Sequence, residues 1–167
     1  EDLYPLQVCM FILGTGTSSM LNQRIREQLG LVYSIDSWLT RYLGGGYISV
    51  SMSLGSKGEE TALKETLKII RGFSSLVTER QVEIAKEKLI SSLIMSREQP
   101  QSKLSAMGYS LLLTGNFSDD DEITKRIRAV KLNDVRAVAE KYLDTEKMSF
   151  TAVGRVKTED EYKRILR

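Results

Sequence analysis

Residues 13–34 read LGTGTSSMLNQRIREQLGLVYS. Two glycines and a run of hydroxyls precede a stretch with helical spacing. That is the general form of a loop that cradles phosphate on backbone N–H groups. The spacing argues against it. A P-loop needs four residues between its glycines and then Gly-Lys-Ser/Thr; Gly14 and Gly16 are two apart and no lysine follows. The dinucleotide fingerprint needs a third glycine, where Ser19 stands, and a preceding strand within a βαβ unit. The residues fit a helix-to-helix turn instead. Its glycines allow positive φ, and Ser18 or Ser19 caps the next helix.

The other reactive groups are few. The 167 residues contain no histidine and one cysteine, Cys9. A histidine general base is impossible, and so are Ser-His-Asp and Cys-His arrangements. Histidine-based zinc sites are excluded, and one cysteine builds neither a thiolate cage nor an internal disulfide. No residue of this chain is assigned to a metal or a cofactor. The 24 basic and 22 acidic residues leave a net charge of +2 with no basic run, so nucleic acid is not an expected partner. No stretch approaches the roughly 18 consecutive apolar residues of a membrane span. The single cysteine and the lack of a basic leader point to the cytoplasm. The chain starts at Glu1 rather than methionine and is read as a fragment.

The elements that position these groups follow from periodicity. Leu3, Leu6, Met10 and Leu13 recur at helical spacing, with Pro5 suited to a first turn. A buried helix is the reading, with a buried strand as its rival. Leu21, Ile25 and Leu29 form the stripe of a second helix, which Gly30 stops. Residues 31–42 read as a strand, 44–46 as a turn. Ile48, Val50, Met52 and Leu54 then alternate with Tyr47, Ser49, Ser51 and Ser53, giving an antiparallel hairpin.

Helices are expected over 59–77 and, after a Thr78/Gln81 capping box, up to Pro100. Further helices are expected over 102–114, from a Ser118 cap to about Val130, and over 133–143. Met148–Val153 reads as a strand, and Thr158 with Glu161 opens a terminal helix. Strands and helices do not alternate regularly, so a doubly wound parallel sheet is disfavoured. The expectation is an α+β two-layer sandwich, helices on one face of a largely antiparallel sheet.

The segment LGTGTSSMLNQRIREQLGLVYSIDS also resembles the block LGGG-x-SS-x-L-x-x-x-x-RE-x-x-GL-x-YS of the M16 metallopeptidases. Leu13, Gly14, Gly16, Ser18, Ser19, Leu21, Arg26, Glu27, Gly30, Leu31, Tyr33 and Ser34 carry the match. VTERQVEIAKEKLISSLIMSREQPQSKLSAMGYSLLLTG is similar to the family's long helix and its successor. ITKRIRAVKLNDVRAVAEKYL and FTAVG are similar to its last helical run and closing strand. Leu132 departs from the pattern, which has a threonine cap there.

The resemblance implies a LuxS/MPP-like metallohydrolase fold and one domain over 1–167. This is the non-zinc C-terminal-type domain, lacking its first strand. The zinc domain of the family carries H-x-x-E-H, which a chain without histidine cannot. The implied partners are a zinc-bearing M16 domain and a peptide substrate, with a dimer in the parent protein. Zinc is implied in the partner domain and not here.

The resemblance also implies that Arg26 and Tyr33, seven residues apart, act at the active site. A phenol O–H can donate to the oxyanion of a scissile carbonyl, and a guanidinium offers a fixed fork of donors. In this reading Arg26 lies in the last turn of a helix and Tyr33 early in the next strand, with Gly30 reversing the chain between them. Arg24 competes with Arg26, and only the motif register prefers the latter. Glu27 is read as an orienting ion-pair partner, and Trp38 and Cys9 as packing residues. The alternative is a non-catalytic scaffold subunit of the same family.

Overall fold

The computed structural model describes residues 2–117 and 119–167. Helix α1, Leu3–Leu13, is apolar on every side, and a helix of that kind belongs inside a core. Val8, Cys9 and Leu13 are fully buried, and burial pushes the Cys9 thiol pKa up to about 12. The buried-helix reading holds. Around α1 lie α3 (Glu79–Arg97), α5 (Asp120–Ala129), α6 (Leu132–Tyr142) and strand β1 (Ser34–Tyr42).

The turn after α1 meets β1 closely. A Cβ on Gly14 would lie 2.6 Å from the Ser37 hydroxyl oxygen and 2.7 Å from the Ser37 nitrogen. Only glycine allows that approach. The Ser37 hydroxyl donates to the Met10 carbonyl at 3.2 Å, and the Thr15 hydroxyl donates to the Ser37 carbonyl at 3.2 Å. Helix, turn and strand are thereby stitched together.

β1 pairs antiparallel with β2, Gly45–Ser53. Tyr42 faces Gly45, so Leu43 and Gly44 form the connection and the expected turn at 44–46 starts one residue too late. Gly45 and Gly46 belong to the strand. A Cβ on Gly46 would sit 2.4 Å from the Thr40 carbonyl oxygen, so the glycine serves strand approach rather than the turn. Ile35, Ser37 and Leu39 with Ile48, Val50 and Met52 face the helices. The opposite face carries Asp36, Trp38, Thr40, Tyr47, Ser49 and Ser51. Trp38 is 51% exposed there, which corrects its assignment as a packing residue. Its even residue number puts it with Asp36 and Thr40 on the outer side, and sequence alternation alone does not say which side is covered.

α2 runs Glu59–Leu76 and buries Leu63, Leu67 and Phe73. The Thr78/Gln81 capping box forms as expected and opens α3. Pro100 stands at the first position of α4, Pro100–Thr114, where its missing N–H costs nothing; the expected start at Ser102 is two residues late. Ser118, expected to cap α5, lies outside the described residues; the Asp119 carboxylate accepts the Asp121 N–H at 3.1 Å. α6 begins at Leu132, preceded by Lys131, which has no side-chain acceptor to offer. The Asp134 carboxylate accepts the Lys131 N–H at 2.9 Å, a bond that ties the first turn back to the cap residue.

The expected strand at Met148–Val153 is not formed. Among the described residues the sheet has two strands, and 148–153 lies exposed without regular structure. A β-rich composition makes a strand only where a neighbouring strand takes its N–H and C=O groups. The Phe150 ring instead packs on Tyr162, centroids 4.8 Å apart. Tyr162 belongs to α7, Glu159–Leu166, opened by the expected Thr158/Glu161 box and packed on α2. The result is α+β, helices layered on one face of an antiparallel hairpin.

Candidate functional site

Ser19 occupies the cap position of the second helix, since its carbonyl accepts the Gln23 N–H at 2.9 Å. Its hydroxyl does not cap. With Gly16 at φ +81°, the Gly16 carbonyl takes both the Ser19 hydroxyl at 2.7 Å and the Ser19 N–H at 3.2 Å. The Ser18 hydroxyl accepts from the Lys88 ammonium. The expected serine cap is thus corrected: both hydroxyls are engaged with the turn and with α3.

The helix that follows is π-helical over Asn22–Gln28, not plain α. Its exit bonds are long in register: Leu29 N–H to the Arg24 carbonyl at 3.2 Å, and Leu31 N–H to the Ile25 carbonyl at 3.0 Å. Such wide turns are rare and frequently mark functional sites. Leu21 and Ile25 are fully buried and fix one side of the helix in the core. Asn22 is buried beside them, and its side-chain oxygen has no hydrogen-bond partner among the described residues. Gly30 ends the segment at φ +60°, a left-handed value suited to glycine.

The two arginines differ in what holds them. The Arg24 Nε donates to Glu65 Oε2 of α2 at 2.9 Å, and its Nη1 donates to the Gln28 side chain at 3.2 Å. The Arg24 guanidinium holds the Glu65 carboxyl below its usual range. Among the described residues the Arg26 side chain meets only Glu27, at 4.0 Å, with both side chains about half exposed. That distance is outside hydrogen bonding, so Glu27 orients Arg26 weakly at most. Arg24 is thus engaged with α2, whereas the Arg26 side chain has no partner within hydrogen-bond distance among the described residues.

Tyr33 lies one residue ahead of β1 rather than inside it. Its N–H donates to the Ser53 carbonyl at 2.7 Å, extending the ladder by one bond, and its ring is 82% exposed. The π-helical segment packs against β1, so Arg26 and Tyr33 leave the same helix–strand junction. Neither side chain is sealed inside the molecule.

Sequence reasoning missed the π-helical winding and the Arg24–Glu65 pair. Glu65 lies 41 residues from Arg24, and no local pattern signals their contact.

Zinc does not fit this chain's own side chains. There is no histidine, the one thiol is buried and hard to ionise, and no group of three or more acidic or thiol residues gathers among the described residues.

The fold is an α+β domain in which no group of three or more His, Cys, Asp or Glu gathers among the described residues. The family model described as "Peptidase M16 inactive domain" matches residues 1–89. An uncharacterised zinc protease of Rickettsia felis is 32% identical over 141 residues, covering 84% of this chain and 34% of that protein. The chain therefore spans about a third of the length of that relative. The solved M16 inactive domain from Pseudomonas fluorescens superposes with TM-score 0.70 at 22% identity, over 86% of this chain and 34% of the other. A chain of complex III from Candida albicans superposes with TM-score 0.73 at 21% identity, over 84% and 36%. The chain belongs to the M16 peptidase family, as its inactive domain.

Proposed function

We propose that this domain forms the non-metal half of a zinc peptidase site. It closes over a zinc-bearing M16 domain and holds a peptide between them. Tyr33 donates its phenolic proton to the carbonyl oxygen on which negative charge develops. Arg26 presents its fork to substrate carbonyls or a carboxylate. Water activation is the task of the metal-bearing domain. The observation that carries the reading is the contrast at one junction: a free phenol and an unanchored guanidinium stand exposed, while the neighbouring Arg24 is tied to Glu65.

The test uses the parent protein, or this domain combined with its zinc-bearing partner. Tyr33→Phe removes one oxyanion donor and is expected to lower kcat by about a hundredfold. Arg26→Ala is expected to lower kcat/KM by about tenfold or more. Unchanged kinetics in both variants refutes the roles.

A second reading has its own support. The likeness to a chain of complex III fits a scaffold subunit in a larger assembly. Searching the companion domain for H-x-x-E-H separates the two, since a scaffold pair lacks that motif and a peptidase carries it.

A further inference from the structure

We propose that Arg24 and Glu65 form a positioning pair that fixes the direction of Arg26; this rests on the catalytic reading of Arg26 above. Residues two apart on a helix point to nearly opposite sides, about 200° apart at 3.6 residues per turn. A π-helical turn steps less per residue and keeps them well separated. Arg24 is drawn to α2 by Glu65 at 2.9 Å. Arg26, two residues on, is thereby turned away from α2 and into solvent, where its side chain is 43% exposed.

The exit bonds skip one residue beyond the α register at Leu29 and two at Leu31. The Asn22 side-chain oxygen stays buried without a partner among the described residues. A helix of this kind has an ordinary α competitor in which every residue after Asn22 rotates. Leu21 and Ile25 hold the buried side of the segment. The Arg24–Glu65 pair, joined by Gln28 one turn later, holds the outer side. Arg24 is therefore not a spare cation but the residue through which α2 sets the aim of Arg26.

The test is a double-mutant cycle on the parent protein with its zinc-bearing domain, read as kcat and KM on a peptide substrate. Glu65→Gln is expected to lower kcat by about threefold, the scale of a partly exposed ion pair. In an Arg26→Ala background the same change is expected to do nothing further. The charge swap Arg24→Glu with Glu65→Arg is expected to return kcat to within about twofold of the original. Arg24→Lys keeps the charge and loses the fork, and it gives a second route to the same coupling should Glu65→Gln not fold.

Additive losses from Glu65→Gln and Arg26→Ala overturn the positioning role while leaving Arg26 in place. An unchanged kcat in Glu65→Gln does the same. If Arg26→Ala itself leaves the kinetics unchanged, the catalytic reading fails and this inference falls with it.

Discussion

Two tyrosines of this domain sit at opposite ends of the chain and are used in opposite ways. Tyr162 is 7% exposed, while Tyr33 is 82% exposed. The Tyr162 hydroxyl donates to Glu59 Oε1 at 2.5 Å and accepts the Lys157 N–H at 3.3 Å. Its ring packs with Leu63, Ile165 and Phe150. Among the described residues Tyr33 is held by its backbone alone, through the bond to Ser53. A phenol that a fold uses is buried and hydrogen-bonded. A phenol kept wet at a helix–strand junction adds little to stability. The arginines repeat the lesson: Arg24 is pinned and Arg26 is not.

The contrast can be broken by substitution. Tyr162→Ala should cost the most, about 3 kcal/mol, because it empties the contact between α7 and α2. Calorimetry should then show a Tm fall of roughly 6–12 °C for a domain of this size. Tyr162→Phe removes the hydroxyl alone and should cost about 1 kcal/mol, partly by leaving Glu59 short of a donor. Equal stability of Tyr162→Phe and the original chain would show that the packing, not the network, holds α7.

The third prediction concerns acid. Hydrogen bonds from Lys157 and then Tyr162 lower the Glu59 pKa from its ordinary 4.5. A carboxyl depressed in the folded state contributes stability that is present above the unfolded pKa and lost as pH falls through the folded one. Stability should therefore decline as pH drops below 4.5, and Glu59→Gln should flatten that limb of the profile. A profile that Glu59→Gln leaves unchanged removes Glu59 from the account. The smallest effect belongs to Tyr33→Phe, which should shift stability by less than about 0.5 kcal/mol by chemical denaturation. A loss near that of Tyr162→Phe would show that Tyr33 is structural after all.

How much of this was legible in the sequence depends on how local each cause is. Thr78/Gln81 and Thr158/Glu161 announce their helices because a capping box is a four-residue event. Burial of α1 follows from its apolar faces alone. Residues 148–153 misled because a strand is made by its neighbour, and composition does not report the neighbour. The hairpin turn moved because Gly46 answers the Thr40 carbonyl across the ladder, not the turn.

Ser18 and Ser19 are good cap residues by type, yet the Ser19 hydroxyl turns back to the Gly16 carbonyl and the Ser18 hydroxyl meets Lys88 of α3. The motif register alone prefers Arg26 to Arg24; the pairing of Arg24 with a glutamate 41 residues away was not legible in the sequence. The π-helical winding had no sequence signal. Leu21 and Ile25 are buried on one side of it and Gly30 closes its exit at φ +60°.

The central claim is that an exposed phenol and an unanchored guanidinium serve a reaction completed by a neighbouring domain. Single-turnover peptide cleavage by the parent protein, compared for the original chain and Tyr33→Phe at matched stability, tests it most directly. The account predicts a rate lowered by about a hundredfold with KM little changed. An equal rate in the two proteins would contradict it.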